Sequence, residues 1–465
     1  MERVIPKSGR TKIFVQIYAI MAVSVGSFST GAQFAWPSPS VPQLLLNTSY
    51  IGRITMEQAS YFSILPPIVV IISSFFIGNA MRFIGREYIM GFLAVPHVVH
   101  WIVIANATNL ITVYVARAIS GVSDAICYST IAVYVGEITT PHVRGTWGNS
   151  MMCAILLGHL SVAAVGAYQD IVTTAYIFTV PPLLYALLII FIPESPYFLI
   201  MTGRNEEAKI ALQWLRWQQN VDDEYLVLVK NVQEQVMAPG QFGDLFRDAV
   251  NRKALLVNVG LRICQQFSGF SAFVIYVQII FELATDKSVS AEMSTVIVYS
   301  VLFLLSVLAT SAITRCGRRT MLTISSVGCS GSLLANAVYF YIADETGANL
   351  SQLGWLPLLF MASYMAFLAT GLSPLPSLMT GELFATSIKS HAMFVSTIAR
   401  GVALIIAPKI LQLLIGHLPM YFSFTFFTLS CLASAIFCYR CVPETKGKTL
   451  QEIQDILRKK SFCQP

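Results

Sequence analysis

Charge is what this sequence has least of. Only 12% of its 465 residues are Asp, Glu, Lys or Arg, and 55% are hydrophobic. A soluble domain carries about a quarter charged residues, so most of this chain cannot face water. It also lacks a glycine-rich phosphate loop, a metal-spaced cysteine–histidine cluster and a nucleophile elbow. Those absences argue against an enzyme and leave no call for a cofactor or a metal. The short alternating segments of a β-barrel, about 10 residues each, are missing too. The nine cysteines lie in apolar stretches or at one face, where they read as small packing residues and not as a disulfide framework.

What is present is a succession of apolar runs. They recur near 13–34, 58–80, 87–106, 110–135, 147–168, 172–193, 254–283, 293–313, 320–342, 354–380, 390–415 and 418–440. Each has about the 20 residues that cross a bilayer core as a helix. The first is too long for a signal-peptide core and reads as a spanning helix. The organisation expected is an all-α membrane protein: a tail at 1–12, six helices in 13–193, a cytoplasmic helical linker at 194–253, six more helices in 254–440, and a tail at 441–465. Of the 30 basic residues, all but Arg53, Arg117, Arg262, Lys287, Arg400 and Lys409 fall at one face. By the positive-inside rule that face and both termini are cytoplasmic, with the plasma membrane as the default location. The net charge of +6 then reflects topology, with no nucleic acid implied. The partners expected are the lipid bilayer and a small polar solute, with the monomer as the working unit. Asn47-Thr48-Ser49 and Asn349-Leu350-Ser351 are glycosylation sequons in outer loops; Asn106-Ala107-Thr108 also matches, but in a loop too tight to modify comfortably.

The two halves repeat each other. Gly85-Arg86 follows the second run, and Gly317-Arg318-Arg319 follows the eighth. Gly136-Glu137 with Arg144 seven residues on is matched by Gly381-Glu382 with Lys389 seven residues on. The sixth run ends in Pro193-Glu194-Ser195-Pro196 and the twelfth in Pro443-Glu444-Thr445. Three elements in one order, twice, are hard to reach by coincidence. Parallel six-helix repeats hold substrate at the interface between halves. Glutamates and arginines at one membrane face can pair when that face closes and separate when it opens. The cytoplasmic gate expected on this basis is Arg86, Arg117, Glu137, Arg144, Glu194, Arg318, Arg319, Glu382, Lys389 and Glu444.

These residues resemble the sugar porter family of the major facilitator superfamily over essentially the whole chain. Ala116-Arg117 with Gly121, Val133-Tyr134-Val135-Gly136-Glu137, Arg144-Gly145, Pro193-Glu194-Ser195-Pro196, Gln265-Gln266-Phe267-Ser268-Gly269, Gly381-Glu382-Leu383-Phe384 and Pro443-Glu444-Thr445-Lys446-Gly447-Lys448-Thr449-Leu450 carry the resemblance. Ala35-Trp36-Pro37-Ser38-Pro39-Ser40 looks most like the arthropod facilitated trehalose transporter branch. The resemblance implies a major facilitator fold of twelve helices and alternating access around Gln265, Gln266, Ser271 and Tyr276. Several positions depart from the family's pattern. Arg82 and Thr314 stand where acids are usual, Tyr197 where arginine is, and Ser377 where tryptophan is. Met152, Ser271, Leu302 and Arg400 replace amides that would face sugar. Each lost amide partner costs a sugar hydroxyl about 1–3 kcal/mol.

The intramembrane charges are Arg117, Asp124, Arg262 and Arg400. Asp124 reads first as a local partner of Arg117; Arg400, at a sugar-facing family position, reads as a pairing residue or as a contact for an anionic or zwitterionic solute. His97, His100 and His159 read as hydrogen-bonded packing residues. The resemblance implies that proton symporters of the family carry an acid in the first helix; none stands between Ile13 and Val41, which favours facilitated diffusion and leaves Asp124 as the rival proton carrier in the first half's membrane depth. Gly269, Pro357, Pro374 and Pro376 mark expected helix breaks. The leading expectation is facilitated uniport of a sugar such as trehalose or glucose. A non-transporting ligand sensor, or transport of a charged small solute, stays open beside it.

Overall fold

A computed structural model describes residues 13–237, 240–284, 289–346, 350, 353–448 and 450–459. Among these residues the secondary structure is entirely helical. Eleven helices are long and apolar enough to cross a bilayer, and Ser150–Gly166 is a shorter twelfth.

In chain order the spans are α1 (Ile13–Ala35, carried on by Pro37–Leu45), α2 (Met56–Phe83), α3 (Arg86–Phe92 with Ala94–Ala105), α4 (Leu110–Ile138), α5 (Ser150–Gly166) and α6 (Ile171–Ile189). Four short helices follow: Pro196–Met201, Asn205–Arg216, Asp222–Met237 and Asp244–Arg247. Then come α7 (Ala249–Phe267 with Phe270–Leu283), α8 (Ala291–Arg315), α9 (Arg318–Glu345), α10 (Leu356–Thr370 with Leu375–Leu383), α11 (Thr386–His417) and α12 (Met420–Cys441). A last helix, Leu450–Lys459, returns to α7, where Lys253 Nζ donates to the Leu457 carbonyl at 2.9 Å.

Local chemistry explains the starts and breaks. Thr55 and Gln58 form a reciprocal capping box at the head of α2. α7 breaks at Gly269, whose φ of +96° suits a residue without Cβ. α10 breaks between Thr370 and Leu375, with Pro374 and Pro376 at the head of its second piece. Pro357 marks no break. It sits in the first turn of α10, where the missing N–H costs nothing. A π-helical turn, Cys127–Ile131, interrupts α4.

α1 and α5 cross closely, because Gly31 and Gly158 face each other's backbone. A Cβ at Gly158 would overlap the Phe28 carbonyl oxygen and lie 2.7 Å from the Ala32 nitrogen. Small residues permit such approaches where lipid gives no hydrophobic drive for association. Gly158→Val should therefore destabilise the bundle by about 1–3 kcal/mol, the usual cost of overpacking, and lower the thermal midpoint of the detergent-purified protein.

The apolar core is divided unevenly. The second half and the outer part of the first share one buried cluster that includes Trp36, Phe62, Phe273 and Tyr276. The inner end of the first half has its own, around Ile20, Met90 and Tyr134. Both ends keep contacts between the halves: at the end that holds Gly85 and Gly317, Asn149 Nδ2 donates to Thr310 Oγ1 at 2.8 Å and the Phe75 and Phe394 rings lie 6.2 Å apart. Large exposed apolar side chains such as Phe76, Ile111, Val180 and Leu308 suit lipid. Seven described cysteines are free thiols; Cys127, Cys329, Cys431 and Cys438 are buried, as packing residues would be, whereas Cys316 is exposed. Cys441 is an exception, being disulfide-bonded where α12 ends and the core gives way.

Candidate functional site

A small cavity lies between the halves, lined by α1 (Phe34), α2 (Ser63, Pro66, Pro67), α4 (Arg117, Asp124, Tyr128), α7 (Ile275) and α11 (Arg400, Gly401). Gly401 lets α11 lie against α2, since a Cβ there would come within 2.7 Å of the Ile71 side chain.

Arg117 is explained by proline. Pro37 and Pro66 have no N–H, so the carbonyls four residues earlier, Gln33 and Phe62, lose their helical donors. Arg117 supplies both: Nη1 donates to Gln33 O at 2.6 Å and Nε to Phe62 O at 2.9 Å. This overturns the expectation that Arg117 joins the cytoplasmic gate. It precedes Glu137 by 20 residues on one helix, which at 1.5 Å per residue is about 30 Å. Its carbonyl partners also keep it from a direct ion pair with Asp124. That carboxylate is buried beside Arg117 and Arg400, with Oδ1 unpartnered.

Arg400 stands where the family resemblance placed it, on the cavity wall. It reaches across to the other half, its Cζ 4.6 Å over the Tyr128 ring. Tyr128 belongs to the π-helical turn, a distortion frequent at functional sites. Nothing in the sequence pattern marked that turn. Lys409, nearer the outside, also crosses between halves, donating to Ser60 Oγ at 2.9 Å and lying over Tyr61.

The expected sugar-facing residues separate into committed and free groups. Gln265 Nε2 donates to the Ser373 carbonyl at 2.7 Å and so satisfies the break in α10. Gln266 is fully buried with neither amide atom partnered, and Ser271 Oγ is likewise unpartnered. The buried Tyr276 hydroxyl lies beside Ser63 of the opposite half. Met152 packs with the apolar cluster and is not on the cavity wall, and Leu302 is fully buried. His97 and His100 meet the packing expectation, with Thr30 Oγ1 at 3.4 Å and the Ala116 carbonyl at 2.8 Å. His159 departs from it, held between the rings of Phe34 and Tyr299 with no hydrogen bond at either nitrogen.

At the end of the bundle that the basic residues mark, the sequence repeat becomes a repeat of contacts. Glu194 accepts the backbone N–H groups of Arg86 and Glu87, each at 3.1 Å, at the head of α3. Glu444 accepts those of Arg318 and Arg319, at 2.8 and 3.2 Å, at the head of α9. A carboxylate there caps orphan donors and meets the positive end of the helix dipole. Gly85 and Gly317 make room for these carboxylates, because a Cβ at either would strike them. Arg86 then pairs with Glu137 at 3.0 Å, and Arg318 with Glu382 at 3.2 Å. Ser195 lies beside Glu137, and Thr445 donates to Glu382. Each hydroxyl follows the proline–glutamate pair of its half, a parallel readable from the sequence. Arg144 bonds the Gly136 and Thr139 carbonyls, and Lys389 lies over Gly381, the equivalent glycine. Arg319 also covers the Tyr439 ring, 4.7 Å away. Among the described residues, the ion pairs Arg86–Glu137 and Arg318–Glu382 each stay within one half. Asn47 is exposed in the loop between Leu45 and Met56; Asn349 lies outside the described residues.

Comparison with known proteins sets this geometry in context. A family profile described as "Sugar (and other) transporter" matches residues 9–457. The chain is 32% identical over 454 residues to the facilitated trehalose transporter Tret1 of Bombyx mori, covering 96% of this chain and 88% of the relative. The Tret1 of Polypedilum vanderplanki is 32% identical over 452 residues, with 97% and 89% covered. Among solved structures, the inward-open xylose transporter XylE from E. coli superposes with a TM-score of 0.76 at 22% identity, over 95% of this chain and 99% of that one.

Proposed function

The chain belongs to the sugar transporter family and has the twelve-helix major facilitator fold, and from that premise we propose that it carries a sugar, such as trehalose or glucose, by facilitated diffusion. The observation that carries the reading is the free polar equipment at the break of α7. Gln266 and Ser271 are buried without partners, and the Tyr276 hydroxyl faces the opposite half. A sugar hydroxyl both donates and accepts, as amides and hydroxyls do, so these groups fit it.

Alternating access would rock the halves about the cavity. The separate apolar cluster around Ile20, Met90 and Tyr134 supports this, since it lets that part of the first half move as one body. The gate we assign is Arg86, Glu137, Arg144 and Glu194 in one half, with Arg318, Arg319, Glu382, Lys389 and Glu444 in the other. Each group ties the inner ends of its own helices into one body. α1 carries no carboxylate, which supports diffusion without proton coupling. We place the protein in the plasma membrane with both termini inside, by the distribution of lysine and arginine.

Uptake of labelled trehalose and glucose into cells expressing the chain tests the reading. Saturable uptake, unchanged by a protonophore, is the expected result. Uptake no greater than in untransfected cells would reject it.

A further inference from the structure

Arg262 and Arg400 lie at one depth. They are 13 and 14 residues from the inner starts of α7 and α11, which at 1.5 Å per residue is about 20 Å. Asp124 lies as far from the outer start of α4. An arginine at mid-membrane costs about 2.5–3.5 kcal/mol on insertion scales and is typically found facing a partner or a solute path.

Neither arginine has a carboxylate in contact, since the ion pairs among the described residues lie elsewhere. Arg262 bonds only neutral groups: Ser377 Oγ at 2.9 Å, Ser396 Oγ at 3.4 Å and Gln265 Oε1 at 3.5 Å. The titratable groups acting on it are Arg400 and Tyr128, and no acid is among them. Among the described residues Asp124 is the sole carboxylate lining the cavity, against Arg117, which is spent on two carbonyls, and Arg400; Arg262 is off the wall, near enough to Arg400 for their charges to interact. Positive charge is thus in excess where solute would pass. Asp124, nine-tenths buried, keeps Oδ1 free on the same wall.

A neutral sugar needs hydroxyl partners and no net charge; a carboxylate is the natural complement of a guanidinium without an acid partner. We infer that the chamber takes a polyhydroxylated monoanion of the sugar-acid class, its carboxylate held by Arg400, with Arg262 behind the wall adding positive charge, and one hydroxyl donated to Asp124. The inference rests on the proposed carrier function and narrows its substrate.

Glucuronate and glucose share a ring and differ at one carbon, so they make the test. The full chain, purified in detergent, is titrated with each, and affinity is read from the rise in thermal midpoint. Glucuronate should bind more tightly than glucose. Arg400→Gln should weaken glucuronate at least tenfold and by a larger factor than it weakens glucose, and Arg262→Gln, off the wall, should weaken glucuronate by a smaller factor than Arg400→Gln. Arg400→Lys, which keeps the charge, should restore part of the loss and control for folding. Stabilisation by glucose or trehalose but not by glucuronate would overturn the inference, as would equal glucuronate binding by parent and glutamine variants. Stabilisation by none of the three would also overturn it. Trehalose uptake in cells separates these failures from failure of the carrier function itself.

Discussion

Reversing the charge at Glu382 should cut uptake more than tenfold while the protein still reaches the membrane. Glu382 pairs with Arg318 at 3.2 Å and accepts the Thr445 hydroxyl, tying α9, α10 and the segment after α12 together. An arginine there would set two guanidiniums side by side. At an effective dielectric near 20, unit charges 4 Å apart interact by roughly 4 kcal/mol, so the reversal replaces attraction with repulsion of similar size. Water trims this, because the Glu382 side chain is 24% exposed. Glu137→Arg should do at least as much damage. Its side chain is 14% exposed and that of Arg86 only 9%, so screening helps less. Glu382→Gln, which still accepts from Thr445, should fall between. Initial uptake rates normalised to surface expression give the measurement. A reversed variant that transports at the parent rate would remove this cluster from the mechanism.

The spans were legible because apolar runs of bilayer length leave little choice. Their ends were less so. The sequence read a helix stopping near residue 34, yet α1 continues to Leu45, because Pro37 is at ease in a first helical turn and starts the next segment. The break at Gly269 was readable for the converse reason, since a positive φ asks for glycine. The π-helical turn left no mark, since Cys127-Tyr128-Ser129-Thr130-Ile131 differs little from its helical flanks.

In the site, repetition told more than residue type. Glu194 and Glu444 were placed by their matching order in the two halves, and the contacts of one match those of the other. Arg117 was grouped with them by charge alone, without regard to depth, and belongs elsewhere. Arg400 was found as a departure from a family position. The absence of any carboxylate against Arg262 needed the fold, because only there do distant helices bring, or fail to bring, an acid.

Arg117→Leu should leave little folded, active protein. Its partners are the carbonyls that Pro37 and Pro66 leave without donors, buried at the junction of α1, α2 and α4. A buried carbonyl without a partner costs about 1–3 kcal/mol, so two cost roughly 2–6. Leucine also removes a positive charge beside Asp124, whose Oδ1 already lacks a partner, leaving Arg400 alone to offset it. Marginal stabilities are of the same order as that loss. Arg117→Lys should be milder, because one ammonium can still reach one of the two carbonyls. Thermal midpoints and monodispersity after detergent extraction give the comparison. The double variant Arg117→Leu with Pro66→Ala restores the N–H that Phe62 lost, and it should recover part of the midpoint. Recovery would assign the instability to the orphaned carbonyl; its absence would assign it to the unbalanced carboxylate.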